Sequence, residues 1–117
     1  MSSARQQMRK GTTTVMILKL LTDLDKPIHG YQIIRRLEER SNGYFEFKEG
    51  LIYPRLHQME RAGLLHSEWQ GKPGTRRRKV YAVTEAGHRR LEEELAQWVS
   101  FSTTLNEMLG TVPERAS

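Results

Sequence analysis

The sequence predicts a mainly α-helical domain with one small β-hairpin, closed by a long C-terminal helix. Three observations carry this. Three amphipathic stretches are separated by turn residues. Two short β-branched or aromatic segments flank a Pro-Gly turn. An apolar seam then recurs from Leu91 to Leu109 within a stretch of about 26 residues after Thr84.

At 117 residues the chain has room for one domain and can bury roughly two-thirds of its unfolded surface. It contains no cysteine, which excludes a disulfide scaffold and a thiolate metal site and fits a reducing, cytoplasmic setting. The longest apolar stretch, Val15 to Leu24, is broken by Lys19, Thr22 and Asp23 and is too short to span a bilayer. No membrane association is expected. The formal charge is +5, from 19 basic and 14 acidic residues. Its distribution is more telling: Lys72, Arg76, Arg77, Arg78 and Lys79 crowd together with no acid among them. Such a stripe is either a solvated run or a surface for a polyanion.

Residues 12–24 read as a helix that Thr12, Thr13 or Thr14 can cap, with Ile17, Leu18, Leu20 and Leu21 on a broad apolar face. Asp25-Lys26-Pro27 ends it. Residues 30–41 form a second helix, with Tyr31, Ile34 and Leu37 on one side and Arg35, Arg36, Glu39 and Arg40 outside; Asn42-Gly43 stops it. Tyr44 to Phe47 is a short extended link. Residues 51–62 form a third helix, which tolerates Pro54 only near its first turn, and Gly63 ends it. Leu64–Gln70 and Arg78–Val83 are strands, and Pro73-Gly74 suits the centre of a type II turn between them. Thr84 caps the fourth helix, which runs to about Leu109. The expected division is a head over residues 12–83, a C-terminal helix over 84–110, and flexible ends at 1–11 and 111–117.

Three helices followed by a basic hairpin is the layout of a winged helix-turn-helix. On the third helix, Ile52, Leu56 and Met59 make a core stripe, Leu56 and Met59 falling within about 40° of Ile52. The opposite face carries Tyr53, Pro54, His57, Gln58 and Arg61. Arg61 can contact guanine and Gln58 adenine in a bidentate manner, while Tyr53 and His57 can reach phosphates or thymine methyls. Glu60, at the edge, is the only acid there. In the hairpin, Arg76 and Arg78 point one way and Arg77 and Lys79 the other. One pair can grip phosphates while the other reaches a narrow minor groove. Double-stranded DNA is the expected partner, with these residues and Lys72 as its contacts.

Leu91, Leu95, Trp98, Ser102, Leu105 and Leu109 form the seam of the last helix, with coiled-coil-like spacing. At roughly 39 Å this helix outruns the head, so part of the seam needs another partner. The same helix from a second chain supplies it, making a dimerisation helix and a two-fold homodimer. Trp98, with Phe101 nearby, can pack this seam or stack a flat aromatic effector between subunits.

The segment from Glu49 to Leu65, EGLIYPRLHQMERAGLL, resembles the recognition-helix signature of the PadR family of transcriptional regulators. His29-Gly30-Tyr31-Gln32-Ile33 resembles that family's second-helix start, and Arg76 to Tyr81 with Val83 to Gly87 its wing and last-helix start. The likeness runs over roughly residues 12 to 110. It implies a dimeric winged-helix repressor of the compact branch with a single C-terminal helix. It also implies DNA contacts at Tyr53, Pro54, His57 and the wing arginines, and in some members release by an effector at the dimer centre, where Trp98 matches in position.

An enzyme is not expected, and neither is a cofactor. His29, His57, His66 and His88 share no metal-ligand spacing, and no serine carries a nucleophile motif. A winged-helix module for RNA or protein is the alternative.

Overall fold

The computed structural model describes residues 4–111, with side chains from residue 11 onward. Its elements are α1 (Ala4–Leu24), β1 (Ile28–His29), α2 (Gly30–Arg40), α3 (Glu49–Arg61), β2 (Leu65–Gln70), β3 (Arg78–Val83) and α4 (Glu85–Leu109). The sheet is antiparallel in the order β1-β3-β2.

α1 begins at Ala4, so the threonines do not cap it and residues 4–11 are not a loose end. Arg5 to Lys10 is a run of strong helix formers with no breaker. Helix therefore propagates through the threonines rather than starting at them. Thr13 lies inside the packed face, 1% exposed. Residues 1–3 and 112–117, expected to be flexible, lie outside the described residues.

The core forms where the apolar stripes of the helices meet the sheet. α1 contributes Ile17, Leu18, Leu20 and Leu21, α2 Ile33, Ile34 and Leu37, and α3 Ile52, Leu56 and Met59. Ile28, Leu65 and Tyr81 close it from the sheet, and Leu91 from α4. β1 was not expected. Two residues after Pro27 carry no periodic signal, and the strand exists only because Ile28 and His29 pair with Tyr81 and Val80.

Pro54 lies in the second turn of α3, not the first, because Lys48 is the N-cap. Its ring removes the amide that would bond the Gly50 carbonyl, at a cost of about 3 kcal/mol. Burial of Ile52, Leu56 and Met59, all 2% exposed or less, contributes roughly 1.5–3 kcal/mol each. Packing wins.

The hairpin turn is as expected: the Thr75 amide donates to the Lys72 carbonyl at 3.0 Å and Gly74 has φ +84°, as a type II turn requires. Thr84 caps α4, its hydroxyl accepting from the Gly87 amide at 3.0 Å and donating to the Gly63 carbonyl at 2.6 Å. Gly87 explains its own presence in a helix. A Cβ there would stand 2.3 Å from the Leu64 carbonyl oxygen and 2.7 Å from Val83 Cγ1. The first turn of α4 is thus seated hard on the α3–β2 junction.

Candidate nucleic-acid interface

One groove runs between α2, the flank of α3 and the hairpin. Tyr53 and His57 line it from α3, and Arg76, Arg77, Arg78 and Lys79 from the hairpin. These are the residues whose convergence the sequence required. Pro54, Gln58 and Arg61 are exposed on the outer ridge of the same helix, beside the groove and not in its walls. Lys72 is exposed at the hairpin turn, also outside the walls.

Tyr53 is held by glycine chemistry. Gly30, the first residue of α2, gives way to its ring: a Cβ there would meet Tyr53 Cε1 at 2.5 Å. The ring can therefore lie across the start of α2. His29 builds that start. Its Nδ1 accepts from the Gln32 amide while the Gln32 side chain accepts from the His29 amide, each at 3.3 Å, a reciprocal capping box.

As strand alternation requires, Arg78 and Lys79 leave opposite faces of β3. Arg78 Nη1 comes within 3.1 Å of His29 Nε2. Burial, and then this guanidinium, push the His29 pKa below the ordinary imidazole value. With Nδ1 accepting, a neutral ring carries its proton on Nε2, so two donors stand side by side. An anion satisfies such a pair. Lys79 Nζ instead meets Glu60 Oε1 of α3 at 3.0 Å, and Glu60 also accepts from the Ser67 hydroxyl on β2. The Ser67 hydroxyl first, then the Lys79 ammonium, hold the Glu60 carboxyl below its usual range; Glu60 in turn raises Lys79.

The groove also takes in residues that sequence reading left out: His29, Tyr31, Gln32, Arg35 and Arg36 from the α2 side, and Trp69 from β2. Arg35 stands 6.0 Å from the Tyr31 ring centroid. A signal existed, since Arg35 and Arg36 read as the outer face of the second helix. Nothing in the periodicity says that this outer face turns toward the hairpin. In all, six cations (Arg35, Arg36, Arg76, Arg77, Arg78, Lys79) and two acids (Glu39, Glu49) line the groove. Such a surface attracts phosphate.

A second surface lies along the outer half of α4. Trp98, Val99, Phe101, Leu105, Met108 and Leu109 are exposed, Met108 by 78% and Leu109 by 64%. The Trp98 and Phe101 rings are 5.9 Å apart and tilted. The expected seam divides: Leu91 is buried in the chain's own core and Leu95 leans on it, while Trp98, Leu105 and Leu109 face outward and Ser102 is half-exposed. Leu91 is therefore not available to a second chain. The early turns of α4 pack beside α1, where Thr22 Oγ1 and His88 Nδ1 lie 3.3 Å apart. Among the described residues, no group of three His, Cys, Asp or Glu could hold a metal. No helix there is long and apolar enough to cross a membrane.

The chain is similar to known transcriptional regulators. A model of the transcriptional regulator PadR-like family matches residues 17–93. A transcriptional regulator of Mycobacterium tuberculosis is 40% identical over 81 residues, which is 64% of this chain and 72% of that protein. A PadR-like transcription factor from Bacteroides fragilis has a similar crystal structure, with a TM-score of 0.74 at 32% identity over 89% of this chain and 96% of that one. Bacillus subtilis PadR, solved in complex with operator DNA, shares the fold at a TM-score of 0.64 and 24% identity, over 72% of this chain and 47% of that one.

Proposed function

This chain belongs to the transcriptional regulator PadR-like family, and from that premise we propose that it is a sequence-specific repressor that binds a pseudo-palindromic operator as a homodimer. One observation carries the reading. Tyr53 and His57 of the third helix share a groove with Arg76, Arg77 and Arg78 of the wing, and the α2 arginines add to its charge. A duplex laid against α3 meets all three elements together.

In this reading α3 enters the major groove. Gln58 and Arg61 on its outer ridge read adenine and guanine edges. Tyr53, Pro54 and His57 touch backbone and thymine methyls. Arg76, Arg77, Arg78 and Lys72 hold phosphates or a narrow minor groove beside the site. The Bacillus subtilis relative, crystallised with operator DNA, supports the same use of the fold here.

The homodimer rests on the outer half of α4. Six large apolar side chains there are exposed along one helix, and a two-fold mate would cover them. Two heads then read half-sites about one helical turn apart, or a multiple of it. The Trp98–Phe101 pair lies on that surface and is the place for a small aromatic effector that releases DNA. A flat aromatic compound that quenches Trp98 without lowering DNA affinity would remove this role. A DNA duplex as partner supports a cytoplasmic protein.

The test is a mobility shift with the duplex upstream of the chain's own gene, competed by random duplex and by RNA. Operator duplex should compete at least 1,000-fold better than random duplex, the usual margin of specific recognition. Equal competition by random duplex or RNA would favour a module without promoter specificity.

A further inference from the structure

Glu60 is the acid of α3 that touches the wing, and it touches both strands. Oε2 accepts from Ser67 on β2 and Oε1 from Lys79 on β3. Ser67 pairs with Tyr81 and Trp69 with Lys79, with the Glu68–Val80 pair between them, so one carboxylate bridges two alternate rungs of the hairpin. The ion pair is partly sheltered, with side chains 28% and 32% exposed. The ammonium is further restrained 5.5 Å from the Tyr81 ring centroid. Yet Lys79 lines the groove wall beside Arg77 and Arg78, and Glu60 does not line it. Lys79, expected from the sequence to contact DNA, is instead tied back toward α3 by this carboxylate.

We propose that Glu60 is a positioning residue that withholds Lys79 from the DNA backbone and so limits the sequence-blind part of binding. The inference rests on the DNA-binding reading above. A lysine on a flexible stem adapts to any phosphate and carries no sequence information. A free Lys79 would add to every duplex alike. The tether also keeps the wing in fixed register with α3, so that the remaining arginines meet the backbone only where α3 fits its bases. Arg78 differs because its neighbour is a neutral imidazole, which leaves its charge uncompensated.

The experiment is a salt titration of binding to random and operator duplex with four proteins: wild type, Glu60→Gln, Lys79→Met and the double variant. Glu60→Gln should steepen the log–log salt slope by about 0.9 per bound head. That is an extra loss of roughly three- to four-fold in affinity between 50 and 200 mM salt. At low salt Glu60→Gln should bind random duplex more tightly than wild type. Lys79→Met alone should leave the slope at the wild-type value, and the double variant should return to it. A merely structural Glu60 would lower the thermal midpoint and weaken all binding with no change in slope, and that result would overturn the inference. So would a slope that stays steep in the double variant, because the carboxylate would then be repelling phosphate directly. A shallower slope for Lys79→Met would overturn it as well, and this holds even if Glu60→Gln does not fold. Wild type binding no duplex at all would remove the DNA-binding reading itself.

Discussion

Around the groove the chain gathers six cations against two acids; along the outer half of α4 it sets out six exposed large apolar side chains. The first surface is short of negative charge and the second is short of dry contact. The two therefore answer to opposite conditions. Salt screens the groove from its partner, whereas it leaves apolar association intact or strengthens it. The proposed recognition surface is thus tunable by ionic strength, and the proposed assembly surface is not.

Uncoupling the two surfaces should have the largest effect. Leu105→Glu with Leu109→Glu charges the apolar stripe without touching the head. Sedimentation should show a folded monomer, and operator affinity should fall by 10²–10⁴-fold, the usual worth of a second linked site. A dimer that persists would move the assembly surface elsewhere. Next comes Arg76→Ala with Arg77→Ala and Arg78→Ala, which acts on the groove alone. Each lost phosphate contact should flatten the salt slope by about 0.9, with no change in oligomeric state by light scattering. An unchanged slope would take the wing out of the interface. Gly30→Ala sharpens the comparison within the head. Its methyl would collide with the Tyr53 ring, and overpacking of this kind costs about 1–3 kcal/mol. The thermal midpoint should drop by several degrees, and operator binding should weaken beyond what the lost stability explains.

The smallest effect is in pH. His29 has a folded pKa below its ordinary value, so protons bind more readily to the unfolded chain. Its contribution is therefore complete above pH 6.5, the ordinary imidazole value, and is lost as pH falls through the folded pKa. Urea titrations at stepwise lower pH should show this loss, and His29→Gln should flatten it.

Much of the head was legible because local rules and packing agreed there. Gly63, the Pro73-Gly74 turn and Thr84 sit where turn and cap chemistry alone would put them. Ile52, Leu56 and Met59 are buried as their spacing requires. The misses occur where a local rule met a stronger neighbour. Thr12 to Thr14 are good caps, but the helix formers before them carry α1 back to Ala4. Pro54 should have marked a first turn, yet core burial holds it deeper in α3. β1 and the α2 wall of the groove depend on contacts far along the chain, which no window of sequence contains. Leu91 shares the heptad rhythm of Trp98, and periodicity cannot tell which turns of a long helix pack on their own head.

The seat of α4 has one more consequence. With the Gly87 backbone pressed against the Leu64 carbonyl and Thr84 bonded to Gly63, the helix has no slack at its root. It leaves the head in one direction, like a mast stepped in a keel. In a symmetric pair, the span between the two reading helices then follows from that angle and not from a pliable linker. A side chain at position 87 that tilted the mast by a few degrees would shift the far tip by about 2–3 Å over a helix this long. The pair would then favour a differently spaced operator while every base-reading residue stayed unchanged.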